Sequence, residues 1–201
     1  DNYIEGDKRL EKTWRMGQQY ALDGTPLWTN GWCGDPQMLL SYTKDVTNIS
    51  GDATMYQGYR FGKYEIKIGA TGTPDNDYVI MRYAEVLMMK AECILRTGGS
   101  SQEAAELVNE VRRRNFDTTN ELTGSELEAT TIYNGGPVKY GRFLQELGVE
   151  FALEGLRRSQ LIRFDNNFTK GTWWEHQPTN DTKRNLMLIP FDQLQRNSNL
   201  V

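Results

Sequence analysis

Apolar residues recur at three- and four-residue steps between Tyr78 and Arg114. Ile80, Tyr83, Ala84, Leu87, Met88, Ala91, Ile94 and Leu95 fall on one side, with Arg82, Glu85, Glu92 and Arg96 on the other. That period predicts an amphipathic helix. Gly98-Gly99 ends it, because glycine takes up the left-handed conformation that follows a helix end without steric cost. Ser100 and Glu103 have the spacing of a capping box, and Ala104, Ala105, Val108 and Val111 carry a second stripe up to Arg112-Arg113-Arg114, cations suited to a helix C-terminus. The two helices read as an antiparallel hairpin that cannot cover its own apolar stripe, which implies neighbouring helices, as in stacked helical repeats.

A third helical pattern runs from Tyr140 to Arg158, with Phe143, Leu144, Leu147 and Phe151 inward and Glu146, Glu150 and Glu154 repeating every four residues beside them. Like charges at that spacing repel by about 0.2–0.5 kcal/mol a pair, so these carboxylates face cations elsewhere or stand in water. Arg112, Arg113 and Arg163 are the available partners. Between the hairpin and this helix, residues 115–139 are polar and contain Gly135-Gly136-Pro137, which reads as a loop insertion with a short helix around Ser125 to Thr131. After Leu161-Ile162-Arg163-Phe164 the stretch from Asp165 to Lys183 is again loop. Leu186-Met187-Leu188-Ile189-Pro190 then reads as an extended run docking on the core, and Asp192 to Asn197 as a terminal helical turn.

The first third of the chain has another character. Gly24-Thr25-Pro26, Asn30-Gly31 and Cys33-Gly34-Asp35-Pro36 interrupt it every few residues, predicting long loops with short strands, one of them within residues 59–68. Trp14, Trp28 and Trp32 lie in these loops, and Trp173-Trp174 in the later one. Rings in irregular segments either fill space over a helical core or stand exposed as flat platforms for a ligand. For any single ring packing is the commoner outcome, but five tryptophans in loops make one or two platforms a reasonable expectation.

Composition narrows the chemistry. A net charge of −4 offers no electrostatic case for nucleic acid, which needs a clustered basic surface. No run of about 18 apolar residues is present to span a bilayer. Two cysteines make no disulfide framework: Cys93 reads as a small buried hydrophobe within the first helix, and Cys33 is internal and no lipid-attachment site. One histidine, His176, and no Cys-x-x-Cys argue against zinc. Asp75-Asn76-Asp77 could contact calcium, but its spacing matches no recognised calcium loop, so no cofactor is expected.

Four segments, in order, resemble the SusD/RagB family of outer-membrane nutrient-binding lipoproteins of Bacteroidetes. They are Asp77 to Leu87 with Lys90-Ala91-Glu92, Val108 to Arg114, Glu150 to Arg158 followed by Leu161-Ile162-Arg163-Phe164, and Leu188-Ile189-Pro190 through Asn197-Ser198-Asn199-Leu200. Departures from the family pattern fall at Leu147, Gln160, Leu188 and Phe191. The resemblance implies a mainly α fold, a TPR-like helical-repeat core decorated with long irregular loops and a few short strands. The chain would be an incomplete C-terminal portion, since the family's N-terminal repeats, lipidated cysteine and closing tail have no counterpart in it. Within it, residues 1–77 would form a loop-rich, aromatic, ligand-facing region, 78–164 the hairpin and third helix, and 165–201 a loop and docking tail.

The resemblance also implies a function: non-catalytic binding of a polysaccharide or oligosaccharide at the cell surface, delivering it to a SusC-like TonB-dependent transporter. Membrane contact would come only through an N-terminal lipid anchor. Family ligand positions vary, so the candidates Trp14, Trp28, Trp32, Trp173 and Trp174 rest on ring type and loop position alone. Two alternatives stand beside this reading. One is an intracellular helical-repeat scaffold binding a peptide, which leaves the tryptophan-rich loops without purpose. The other is a glycoside hydrolase using Glu146, Glu150 or Glu154, although carboxylates one turn apart on a helix line one wall and do not flank a bond from opposite sides.

Overall fold

The stripe at Met88, Ala91 and Leu95 does form a helix, but not from Tyr78. The computed structural model describes residues 2–29, 37–48, 53–65, 67–69, 72–116, 120–197 and 199. In chain order its elements begin with helix α1 (Arg9–Thr13) and four two-residue strands, β1 (Trp14–Arg15), β2 (Gly17–Gln18), β3 (Ser41–Tyr42) and β4 (Arg60–Phe61). Helix α2 (Tyr83–Arg96) and helix α3 (Ser101–Arg113) follow, then α4 (Gly124–Glu128) and the strands β5 (Thr130–Tyr133) and β6 (Gly136–Lys139). The remainder is helical: α5 (Gly141–Glu150), α6 (Arg157–Arg163), α7 (Asn167–Lys170), a 3₁₀ turn at Thr182–Asn185 and α8 (Phe191–Arg196).

The start of α2 moves to Tyr83 because Arg82 is extended, at φ −138° and ψ 159°, with its guanidinium drawn to Glu150 and Glu154. Ile80 and Tyr83 are accordingly exposed, not part of the buried stripe. Two further positions on α2 depart from the simple helical wheel. Glu92 is buried, between Arg96 and Arg163, and Cys93 is exposed. Gly98, at φ +74°, closes α2 with the left-handed turn expected of it, and the Gly99 amide donates back to the Ile94 carbonyl at 2.9 Å. At the next helix start the Ser100 hydroxyl accepts from the Glu103 amide at 3.3 Å, while the full reciprocal capping box occurs at Thr123 and Glu126, ahead of α4.

Helices α2 and α3 are packed through small side chains, Ala91, Ala104 and Ala105, all fully buried. Phe143 and Leu144 of α5 and Phe164 after α6 complete one continuous core with Met88, Val108, Val111 and Leu127. The chain is thus mainly helical with a few short strands, as the resemblance implies.

Where the structure differs, backbone geometry supplies the reason. The helix expected from Tyr140 to Arg158 splits into α5 and α6, because Leu153 and Gly155 adopt positive φ (60° and 80°) in the intervening turn. Within residues 115–139 the short helix expected around Ser125 is present as α4, but the stretch after it is an antiparallel β5–β6 hairpin, with Ile132 opposite Pro137, and not a loop. Its two-residue connection, Asn134-Gly135, has both φ values positive (50° and 79°), the turn whose twist matches that of the strands it joins. The strand expected in residues 59–68 shrinks to β4, paired with β1. Leu186, Met187, Leu188 and Ile189 are extended but exposed, at 71, 79, 90 and 49%, so the tail does not dock on the described core.

Candidate functional site

The three regularly spaced glutamates resolve into a buried charge network. Glu146, with 1% of its side chain exposed, accepts from Arg9 Nη1 at 2.6 Å and from Arg112 Nη1. Glu150 accepts from Arg82 at 2.7 Å, Arg114 at 2.8 Å and Arg9 at 3.2 Å. Glu154 accepts from Arg82 Nε at 2.8 Å and from Lys63 Nζ. Asp7 completes the set by gripping Arg9 through both carboxylate oxygens. Of the partners expected from sequence, Arg112 is one; Arg113 instead pairs with Glu106 and Glu121, and Arg163 with Glu92. Arg9 of α1, Lys63 after β4 and Arg82 just before α2 all lie far from these glutamates in sequence, so the network fastens the first part of the chain to α5 and the turn after it.

The environments of Glu150 and Glu154 oppose a role as catalytic acid. Burial alone would raise the Glu150 and Glu154 carboxyls, but hydrogen bonds from Arg82, joined by Lys63 at Glu154, hold both below their ordinary value. Glu92 is likewise held down by Arg163 and Arg96 against the effect of burial. A glycosidase acid requires the opposite shift. For a carboxyl depressed in the folded state, the stability it confers is complete above its unfolded value, near 4.5, and is lost as pH falls through the lower folded value. The urea midpoint should therefore stay level from neutral pH to about 5 and drop steadily below about 4.5. A midpoint that rose on acidification would contradict this.

The tryptophans sit in three separate local structures. Trp14 on β1 is half-buried, its indole N–H donating to Tyr3 Oη at 2.9 Å and its ring edge-on to Phe61. Trp28 is 57% exposed on a ribbon where Tyr20 pairs with Pro26 and Trp28 with Leu39. Tyr20, at 61%, and the exposed Leu22, Leu27 and Leu39 share that ribbon. Trp32 lies outside the described residues, as does Cys33.

Trp173 and Trp174 stand together in a tight turn after α7. The Trp173 amide and the His176 amide each donate to the other residue's carbonyl, leaving Trp174 and Glu175 at the tip. Trp174 is 53% exposed, whereas Trp173 is half-buried against the core and stacks on His176 with centroids 3.7 Å apart and planes 8° from parallel. The sequence pointed to the tryptophans but not to Tyr20 or to His176 as their companions. Alternation of apolar residues around Pro26 was the available signal for the ribbon, and it is blurred by turns.

Asp75, proposed above as a cation contact, is engaged by Lys67 at 2.9 and 3.0 Å. Among the described residues no group of three or more His, Cys, Asp or Glu is arranged to hold a metal, and no helix is long and apolar enough to cross a membrane.

Comparison with known proteins extends the resemblance over the whole chain. The model of the SusD family matches residues 1–201. The chain is similar to the starch-binding protein SusD of Bacteroides thetaiotaomicron, at 33% identity over 133 residues, 63% of this chain and 21% of that protein. It is also similar to SusD-like protein P2 of Formosa agariphila, at 31% identity across 98% of this chain and 42% of that protein. It spans less than half the length of these relatives. With a helical core, short-stranded aromatic loops and a family match from end to end, the chain belongs to the SusD family.

Proposed function

We propose that this chain is the C-terminal portion of a cell-surface protein that captures a polysaccharide or oligosaccharide without cleaving it and passes it to a SusC-like TonB-dependent transporter. The observation that carries the proposal is the pair of exposed indoles, Trp28 and Trp174, each on a short backbone-paired turn. A large ring held in water on a firm support suits the apolar face of a sugar, whose hydroxyls are met by polar loop side chains. Family membership supports the same reading, and one relative is by name a starch-binding protein. The commitment of Glu146, Glu150 and Glu154 to arginine and lysine supports binding without turnover.

In this reading the α2–α3 hairpin belongs to a TPR-like repeat array whose remaining helices lie in the rest of the protein, which is anchored to the outer membrane by an N-terminal lipid. Residues 1–77 face the ligand, 78–164 form the helical support and 165–201 the loop and tail. No cofactor is required.

Affinity electrophoresis in polysaccharide gels, with assay for released sugar, tests the proposal. Trp28→Ala or Trp174→Ala should weaken binding by about tenfold, about 1.4 kcal/mol, with no product formed by either protein. Unchanged affinity in both variants would remove the assigned surface, and glycan hydrolysis would overturn the non-catalytic reading.

A further inference from the structure

The Trp173–His176 turn borders an open cavity of about 510 Å³ between α6, α7 and the 3₁₀ turn. That volume falls in the range of small-ligand sites, about 300–1,000 Å³. Beside Thr169, Thr179, Leu186 and Leu188, its walls carry rings and charges. Phe168 and His176 supply rings, and Arg158, Lys183 and Arg184 supply cations, with Asp181 the single carboxylate among its lining residues. Three cations against one carboxylate leave an excess of two positive charges here, on a chain whose net charge is −4.

These cations are mostly uncommitted. Arg184 and Asp181 are 3.9 Å apart and largely solvated, a weak pair. Neither Arg158 nor Lys183 has a carboxylate partner among the described residues. Arg158 is nevertheless held in place: its Nη2 donates to the Arg184 carbonyl at 2.7 Å, and its guanidinium carbon lies 5.0 Å above the Phe168 ring. The contrast with the α5 network is instructive, since there every arginine that touches a glutamate is neutralised by it.

We infer that this cavity is a binding subsite for an anionic sugar residue, one carrying a carboxylate or a sulfate ester. An aromatic wall receives the apolar face of the sugar, and fixed arginine and lysine groups meet the charge, the guanidinium matching two oxygens at once. The inference rests on the glycan-binding reading and narrows it to acidic polysaccharides.

The test is isothermal titration of the intact protein with three oligosaccharides: an oligogalacturonate, its methyl ester, and a sulfated galactan oligomer of equal length. Methyl esterification removes the charge while keeping the ring shape. The expected result is at least tenfold tighter binding of one or both charged sugars than of the ester, shrinking as salt rises. Preference for the uronate or for the sulfate identifies which anion the site takes. In the Lys183→Ala/Arg184→Ala variant, both side chains being exposed, the preference should fall to within about twofold. Equal binding of charged and esterified sugars, or a preference that survives the double substitution, would overturn the subsite while leaving glycan binding standing. Binding of none of the three, nor of a neutral glucan, would overturn both.

Discussion

Replacing Glu146 with alanine should destabilise the fold by about 3–5 kcal/mol, because it strands charge in a site from which water is excluded. The side chains of Arg9 and Arg112 are 6 and 2% exposed, and both lean on Glu146. Arg9 keeps Asp7 and Glu150, which tempers its loss; among the described residues Arg112 keeps the Asn120 carbonyl and the face of Phe116. Burial alone would weaken Arg9's hold on its proton, and the carboxylates of Asp7 and Glu146 more than reverse that effect. Deleting one member of such a network is therefore a different operation from deleting an exposed pair. Arg113→Ala, which breaks contacts to the solvated Glu106 and Glu121, should change stability little, because exposed ion pairs are screened by water. Urea unfolding of the two variants decides the matter: the midpoint should fall far more for Glu146→Ala, with the slope unchanged. A Glu146→Ala midpoint within error of that of Arg113→Ala would show that the network carries no net stability.

The same network shows what can be read from a sequence of this kind. The four-residue spacing of Glu146, Glu150 and Glu154 is a local pattern, and it pointed to carboxylates that needed cationic partners, although Glu154 lies in the turn beyond α5. Which cations answer it depends on the path of the first 82 residues, where Arg9, Lys63 and Arg82 are separated by loops with no period. Helix α3 was legible almost residue by residue, because Ala104, Ala105, Val108 and Val111 lie on one stripe and all are buried. Helix α2 was legible in its middle but not at its start. There, tertiary pairing of Arg82 overrides a helical pattern that continues back to Ile80. The β5–β6 hairpin carries the strong Asn134-Gly135 turn signal, but Gly136-Pro137 directly after it, at the start of β6, reads as a loop in sequence.

The candidate site was legible only as residue type. Five tryptophans in loops could be marked, but exposure separates the four that are described, and exposure is set by what each loop folds against. Trp28 and Trp174 emerge as platforms, whereas Trp14 and Trp173 spend part of their surface on Phe61, His176 and the core. The cationic cavity was invisible, because Arg158 lies 25 residues before Lys183 and reads, by itself, as the end of a helix.

Truncating Phe143 to alanine should cost about 3–5 kcal/mol, the range for removing a large ring from a core that cannot collapse around the gap. Phe143 is fully buried on α5, with its ring 6.1 Å from that of Phe164, itself 1% exposed. Both belong to the cluster that joins α5 to the α2–α3 pair, so the void would open where the helices meet. Phe143→Leu, which keeps most of the volume, should cost markedly less. Trp174→Ala supplies the opposite extreme: a larger ring is lost, but from a half-solvated turn, and stability should move by no more than about 0.5 kcal/mol. Thermal and urea unfolding of the three variants should therefore rank by burial and not by ring size. If Trp174→Ala proved as damaging as Phe143→Ala, its indole would be a packing element and its assignment as a ligand platform would fail. The predicted order instead leaves Trp174 free to be removed without disturbing the fold, which is what allows any loss of glycan affinity in that variant to be read as loss of a contact. Trp173, packed on the core, offers no such separation.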